Sequence, residues 1–103
     1  MTSKEVYDII IYEIKNNPEI SNAHGVDLKK SLLSPVRQKY LNALDNSKNS
    51  ELWTVLEELE DGSGYKIFYD ESENVFGLGV KSDKDELLCL GNYGTFLETL
   101  KAM

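Results

Sequence analysis

The sequence predicts an α+β domain: an N-terminal helix, an antiparallel four- to five-stranded sheet arranged as a meander, and a C-terminal helix packed on that sheet. Three observations predict it. Apolar residues recur at helical spacing near the N-terminus, and from residue 51 onward they alternate in short runs divided by turn residues. Behind Thr95 the helical spacing returns.

The first helix is expected over 4–16. Thr2 and Glu5 have capping-box spacing, a side-chain acceptor followed three residues later by a carboxylate that reaches back to the cap. Val6, Tyr7, Ile10, Ile11 and Ile14 then mark one face. Asn17-Pro18 ends the helix, because the residue before a proline is pushed out of the α region.

Residues 17–27 contain Pro18, Ser21, Asn22 and Gly25 and read as a loop. His24 lies in it, with no second ligand and no base partner in view, and is expected to be a surface or locally hydrogen-bonded residue. The stretch 28–44 admits two readings. Ser34-Pro35 fits an N-cap and first helical residue, with Val36, Tyr40, Ala43 and Leu44 on one face. Val36, Tyr40 and Leu44 also share a face of a strand, and Leu32-Leu33 before Pro35 suits the end of an edge strand. Propensity tilts 36–45 toward helix. The polar piece Asp45–Ser50 joins this stretch to the meander.

Four strands follow. Leu52-Trp53-Thr54-Val55-Leu56 is rich in aromatic and β-branched residues. After the turn Asp61–Gly64, Tyr65, Ile67 and Tyr69 alternate with Lys66 and Asp70. After Asp70–Asn74, Phe76, Leu78 and Val80 alternate with Gly77 and Gly79; after Ser82–Asp85 comes Leu87–Leu90. Short loops join such strands antiparallel. Gly91-Asn92-Tyr93-Gly94 breaks the sheet, and Thr95 and Glu98 repeat the capping-box spacing ahead of Phe96, Leu97 and Leu100.

Length and composition place the 103 residues in one domain, 1–103, with a core large enough for roughly 5–10 kcal/mol of stability. A charged fraction of 28% beside 41% hydrophobic residues argues against disorder. Cys89 is the only cysteine, which excludes an intrachain disulfide, and its apolar run Leu87–Leu90 makes it a small buried hydrophobe rather than a nucleophile. Lys4-Glu5 and the interruption of Ile9–Tyr12 by Glu13 do not fit a signal peptide. No run approaches the roughly 20 apolar residues that cross a bilayer, so the cytoplasm is the expected location.

The net charge of −7 is unevenly held: residues 1–50 carry six acids and seven bases, residues 51–103 twelve acids and four bases. That balance disfavours nucleic acid and anionic membranes, which need basic patches. Chemistry finds little support. Asp83, Asp85 and Glu86 do not make a calcium loop, because Leu88 stands where glycine is needed and Gly94 where the twelfth-position acid belongs. Asp70, Glu71 and Glu73 lie in an exposed turn that would not raise a carboxyl pKa. One loop histidine and one strand cysteine make no triad. No catalytic residue, cofactor or metal is expected. Gly77 and Gly79 fall on one side of their strand, which suits close packing of a helix or of Trp53, or else a groove for a partner's side chain.

The acids themselves are the strongest feature. Glu57, Glu58, Glu60 and Asp61 follow the first meander strand; Asp83, Asp85 and Glu86 follow the third. Alternate turns of a meander fall at one end, so these clusters are expected to share an edge and to steer a basic protein toward it.

The stretches Leu52–Glu58, Gly64–Ile67, Tyr69-Asp70-Glu71, Phe76-Gly77-Leu78 and Gly91–Leu100 resemble small immunity proteins of bacterial polymorphic toxin systems. The resemblance implies a protein, monomeric or a small homo-oligomer, that binds a basic cognate toxin, often a nuclease, and blocks it without catalysis. It further implies aromatic anchors, Tyr65 first, with Tyr69, Trp53 or Tyr93 wherever they are exposed. A regulatory or adaptor module binding a host protein or peptide along a strand edge is the alternative.

Overall fold

The computed structural model describes residues 1–16, 32–44, 47–58 and 64–103. Helix α1 (Ser3–Asn16) leads into five strands, β1 (Leu32–Asn42), β2 (Asn49–Glu57), β3 (Tyr65–Asp70), β4 (Val75–Lys81) and β5 (Leu87–Gly94), and helix α2 (Phe96–Ala102) closes the chain. The two helices and the four strands from residue 49 onward follow the sequence reading, except that Gly91–Gly94, expected to break the sheet, continues the last strand, with Gly91, Asn92 and Gly94 paired to β4. Two further expectations change. Residues 32–42 form a strand and not the helix toward which propensity tilts, and the sheet closes into a barrel instead of remaining an open meander. The loop expected at 17–27, His24 within it, and residues 28–31 lie outside the described residues.

Closure follows from strand number. Each consecutive pair from β1 to β5 is antiparallel. With an odd count, the first and last strands run the same way, so the seam must be parallel. It is, through Tyr40, Leu41 and Asn42 against Leu87, Leu88 and Cys89. Ala43 N–H extends the seam by donating to Cys89 O at 3.2 Å. Pro35, which has no N–H for a ladder, sits at the irregularity between Leu32 and Val36 where the β1–β2 register shifts.

The barrel has a narrow interior. Tyr40, Leu52 and Phe68 fill it, flanked by half-buried Leu87 and Cys89, with the Tyr40 and Phe68 rings 5.2 Å apart and tilted. Gly77 and Gly79 line the same space. A Cβ on Gly77 would stand 2.3 Å from Gly91 O and 2.5 Å from Phe68 Cζ; one on Gly79 would stand 2.8 Å from Tyr40 Cε2 and 2.9 Å from Leu88 O. Tyr40 and Gly79 belong to strands that are not neighbours, so their contact runs across the inside. The glycines are there for close packing, against Phe68 and Tyr40 rather than Trp53 or a helix, and they leave no groove for a partner's side chain.

The outer face of β2–β4 is covered in turn. Trp53, Val55, Ile67, Tyr69, Phe76 and Leu78 pack with Val6 and Ile10 of α1 and with Phe96, Leu100 and Met103 at the C-terminal end. Burial on both faces explains why Leu52–Leu56 is continuously buried where a one-sided sheet would alternate. Each large apolar side chain so enclosed contributes about 1.5–3 kcal/mol.

The helix ends use their predicted caps. Glu5 N–H donates to Thr2 Oγ1 and Thr2 N–H to Glu5 Oε1 at 2.9 Å; Glu98 N–H donates to Thr95 Oγ1 at 3.1 Å in a second capping box. A long-range contact joins the two helices: Glu13 accepts Phe96 N–H at 3.2 Å and Leu97 N–H at 3.3 Å. Ser3 Oγ donates to Pro35 O at 2.6 Å and ties α1 to β1.

Candidate functional site

Five of the seven predicted acids stand at one end of the barrel. Tyr65, the first residue of β3, pairs with Val80, and Lys81 pairs with Leu87. The β2–β3 connection and the β4–β5 turn therefore emerge side by side. Glu57, Glu58, Asp83, Asp85 and Glu86 share that end with Tyr65, while Glu60 and Asp61 lie outside the described residues.

The end is not a uniform field of carboxylates. Glu57 turns partly inward and pairs with Lys66, Nζ to Oε2 2.9 Å, and the Lys66 side chain is only 5% exposed. At its register position Lys66 pairs with Gly79 of β4. Glu58 Oε1 accepts Tyr65 N–H at 3.2 Å and so fixes the backbone beside that ring. Asp85 pairs with Lys81 at 3.4 Å from a left-handed backbone at φ 62°. Asp83 and Glu86 are exposed, and with Glu58 they hold no ion pair among the described residues. The turn that carries them is built on Ser82, whose Oγ accepts both Lys84 N–H and Glu86 N–H at 3.2 Å. The carboxylates left free by the lysines thus stand on well-tied backbone.

Of the four aromatic residues expected as anchors, Tyr65 and Tyr93 are on the surface, at 39% and 45% exposure, whereas Trp53 and Tyr69 belong to the core. Trp53 is also engaged at its edge and face: its Nε1–H donates to Glu71 Oε1 at 3.4 Å, and the Arg37 guanidinium lies 5.6 Å from the ring centre. Arg37 in turn pairs with Glu51 and Glu71.

Asp70, Glu71 and Glu73 lie at the opposite end, at the β3–β4 turn. Asp70 Oδ1 accepts Ser72 N–H at 3.0 Å and Ser72 Oγ–H at 2.7 Å, the role of a turn-former.

Inside the barrel, Tyr40 OH and Thr54 Oγ1 are 2.6 Å apart, and Thr54 donates onward to Gln38 Oε1 at 2.6 Å. Loss of water, joined by the Glu57 carboxylate, pushes the Tyr40 hydroxyl up to about 12. Burial likewise pushes the Cys89 thiol up. Among the described residues no three His, Cys, Asp or Glu side chains converge on a metal-sized site, and no helix is long and apolar enough to cross a membrane.

One surface escaped the sequence reading. A groove runs between α1 and the start of α2, floored by Ile9, Phe76 and Leu97 and rimmed by Asp8, Glu13 and Glu98. The signal for it was present in part. Asp8 and Tyr12, and Ile9 and Glu13, are four apart on α1 and make a second stripe beside the core face. That this stripe meets α2 follows only from the three-dimensional packing. Compared with protein-family models, curated proteins and solved structures, the chain matches none.

Proposed function

We propose that this is a non-catalytic acidic binding protein of the cytoplasm, an immunity-type inhibitor that neutralises a basic, nuclease-like toxin by covering its active surface. One observation carries the reading: the barrel end holds Glu58, Asp83 and Glu86, without ion pairs among the described residues, around an exposed Tyr65. Surfaces that bind phosphates are basic, and a carboxylate-bearing end complements them. Unpaired carboxylates act at long range as well, raising the rate at which a basic partner arrives. Tyr65 supplies the short-range aromatic contact on which interfaces concentrate their energy.

Co-expression tests the inhibitor reading. Bacterial cells producing the basic toxin domain encoded beside the gene are expected to grow when this protein is present and to stop when it carries Asp83→Lys with Glu86→Lys. Growth arrest that the unaltered protein does not relieve, for any neighbouring toxin domain, removes the reading.

A second reading, an adaptor that takes a peptide along a strand edge, is favoured by β5. Among the described residues its pairing with β1 stops at Cys89, while Leu90 and Tyr93 beyond it are each 45% exposed. A peptide adding there would protect β5 amides from hydrogen exchange and would not depend on Asp83 or Glu86.

A further inference from the structure

We propose that the barrel mouth opposite the acidic turns is a binding site for a neutral polyhydroxylated ring, a pyranose sugar. The site is the next layer of the barrel interior. Tyr40, Leu52 and Phe68 fill the inside, and side chains two residues apart along a strand share a face. Asn42, Ser50 and Asp70 each stand two residues along from one of these three, toward the same end. Asn92 of β5 pairs with Gly77, which lines the interior from β4. Four strands therefore change from apolar to polar at one level. The polar layer opens onto a cavity of about 610 Å³. Small-molecule sites span roughly 300–1,000 Å³, and the mouths of barrels are a preferred place for them.

The backbone around this mouth is tied. Asn42 N–H donates to Lys48 O at 3.0 Å and closes the hairpin between β1 and β2, which brings Lys48 and Asn49 to the cavity wall. Asp70 accepts Ser72 N–H, Ser72 Oγ–H and, at 3.4 Å, Glu73 N–H. All three bonds fall on Oδ1, and a carboxylate carries lone pairs on both oxygens. Cys89 lines the cavity too. Burial does most to push its thiol up, and the Asp70 charge adds to the push, the effect of a carboxylate that faces the same space.

The donor and acceptor set selects the ligand. Asn49 and Asn92 carry carboxamides that donate and accept, Ser50 does both through one hydroxyl, and Asp70 accepts. Hydroxyl groups, which also donate and accept, are what such a wall satisfies, and a pyranose carries them around its whole circumference. Its C–H face meets the floor of Tyr40, Leu52 and Cys89. Charge favours a neutral guest, because Asp70 and Lys48 both line the cavity and an ion of either sign meets a like charge. A nucleobase fits less well, since it binds by stacking on an open aromatic plane. The Tyr40 ring is 1% exposed, packed 5.2 Å from the Phe68 ring and against Gly79, and offers no such plane.

The test titrates the isotope-labelled full chain with glucose, galactose and mannose in turn, and with cytosine and uracil as planar controls, followed by NMR. At least one sugar is expected to shift Ser50, Cys89 and Asn92, and neither base is. The same sugar should slow alkylation of Cys89 by iodoacetamide. Asn49→Ala with Asn92→Ala, both at exposed positions, should weaken the sugar at least about tenfold through the loss of two hydrogen-bonding groups. Asp70→Asn keeps an oxygen for Ser72 and should weaken it at least about threefold, so it decides the matter if the double variant does not fold. Asp83→Lys with Glu86→Lys, at the other end, should leave binding within about twofold. Absence of shifts with all three sugars, shifts with the bases in their place, or an affinity unchanged in the Asn49/Asn92 and Asp70 variants overturns the site. Protection of cells from a toxin would depend on the opposite end of the barrel, so either result leaves the inhibitor reading to its own test.

Discussion

Lys66 Nζ stands 2.9 Å from Glu57 Oε2 at the mouth of the barrel, and the lysine is almost wholly enclosed there. The pair decides which acids remain for a partner. Glu57 is committed to a buried ammonium, so under the proposed function the docking charge would fall to Glu58, Asp83 and Glu86. It also makes the two partners unequal. Glu57→Ala leaves a desolvated cation without a counter-charge and is expected to cost about 2–4 kcal/mol, while Lys66→Met exchanges the cation for an apolar chain of similar length and should cost clearly less. Urea unfolding of the two variants measures the difference; equal losses would show that the pair is solvated.

Gly77→Ala and Gly79→Ala are expected to destabilise the protein by about 2 kcal/mol or more, because each new methyl would meet a backbone carbonyl and an aromatic ring well inside contact distance. Gly91 is the control. A Cβ there meets nothing within 4 Å, so Gly91→Ala should change stability by less than about 0.5 kcal/mol. Thermal unfolding of the three variants checks the order, and a benign Gly77→Ala would contradict the closed interior.

Removing the cross-helix cap should loosen α2. Glu13→Ala leaves the Phe96 and Leu97 N–H groups without their carboxylate and is expected to cost about 1 kcal/mol, within the range measured for lost N-caps. Amide exchange is the direct readout, with Phe96 and Leu97 the first to lose protection. Unchanged exchange at both would place the cap elsewhere.

Tyr40 predicts an alkaline limit to stability. Its folded-state value of about 12 lies above the unfolded value of 10, so the folded protein holds that proton more tightly. The associated stability is fully present below pH 10 and is lost as pH rises from 10 through 12, an effect of about 2–3 kcal/mol. Tyr40→Phe should flatten that part of the stability profile, followed by urea midpoints against pH. A profile equally steep in the variant would assign the loss to another group.

Much of this architecture was readable from local signals. Thr2 with Glu5 and Thr95 with Glu98 announced both helices through the chemistry of their caps, and the alternation of Tyr65, Ile67 and Tyr69 set the faces of β3. β1 resisted for a physical reason. Val36, Tyr40 and Leu44 are spaced to fit a helix or a strand, and the spacing is uninformative because Val36 and Leu44 are exposed while the buried neighbours are Tyr40 and Leu41. Strand β1 exists because β2 and β5 pair with it, and that pairing is non-local. Barrel closure had one local trace, the paired glycines on β4, read correctly as close packing but against the wrong partner. Of the acids expected at one end, Glu57, Glu58, Asp83, Asp85 and Glu86 do share it, since turn alternation is pure topology, while Glu60 and Asp61 lie outside the described residues. The lysines interleaved with them were not foreseen, because the pairing of Lys66 with Glu57 across two strands follows only from the three-dimensional packing.

The association rate between this protein and a basic toxin domain of the kind proposed, followed by stopped-flow fluorescence as salt is raised, tests the central claim most directly. If unpaired carboxylates on the barrel end draw a cationic partner in, the rate falls steeply with salt and falls at all salts in the Asp83→Lys, Glu86→Lys variant. A rate indifferent both to ionic strength and to that charge reversal would contradict the account.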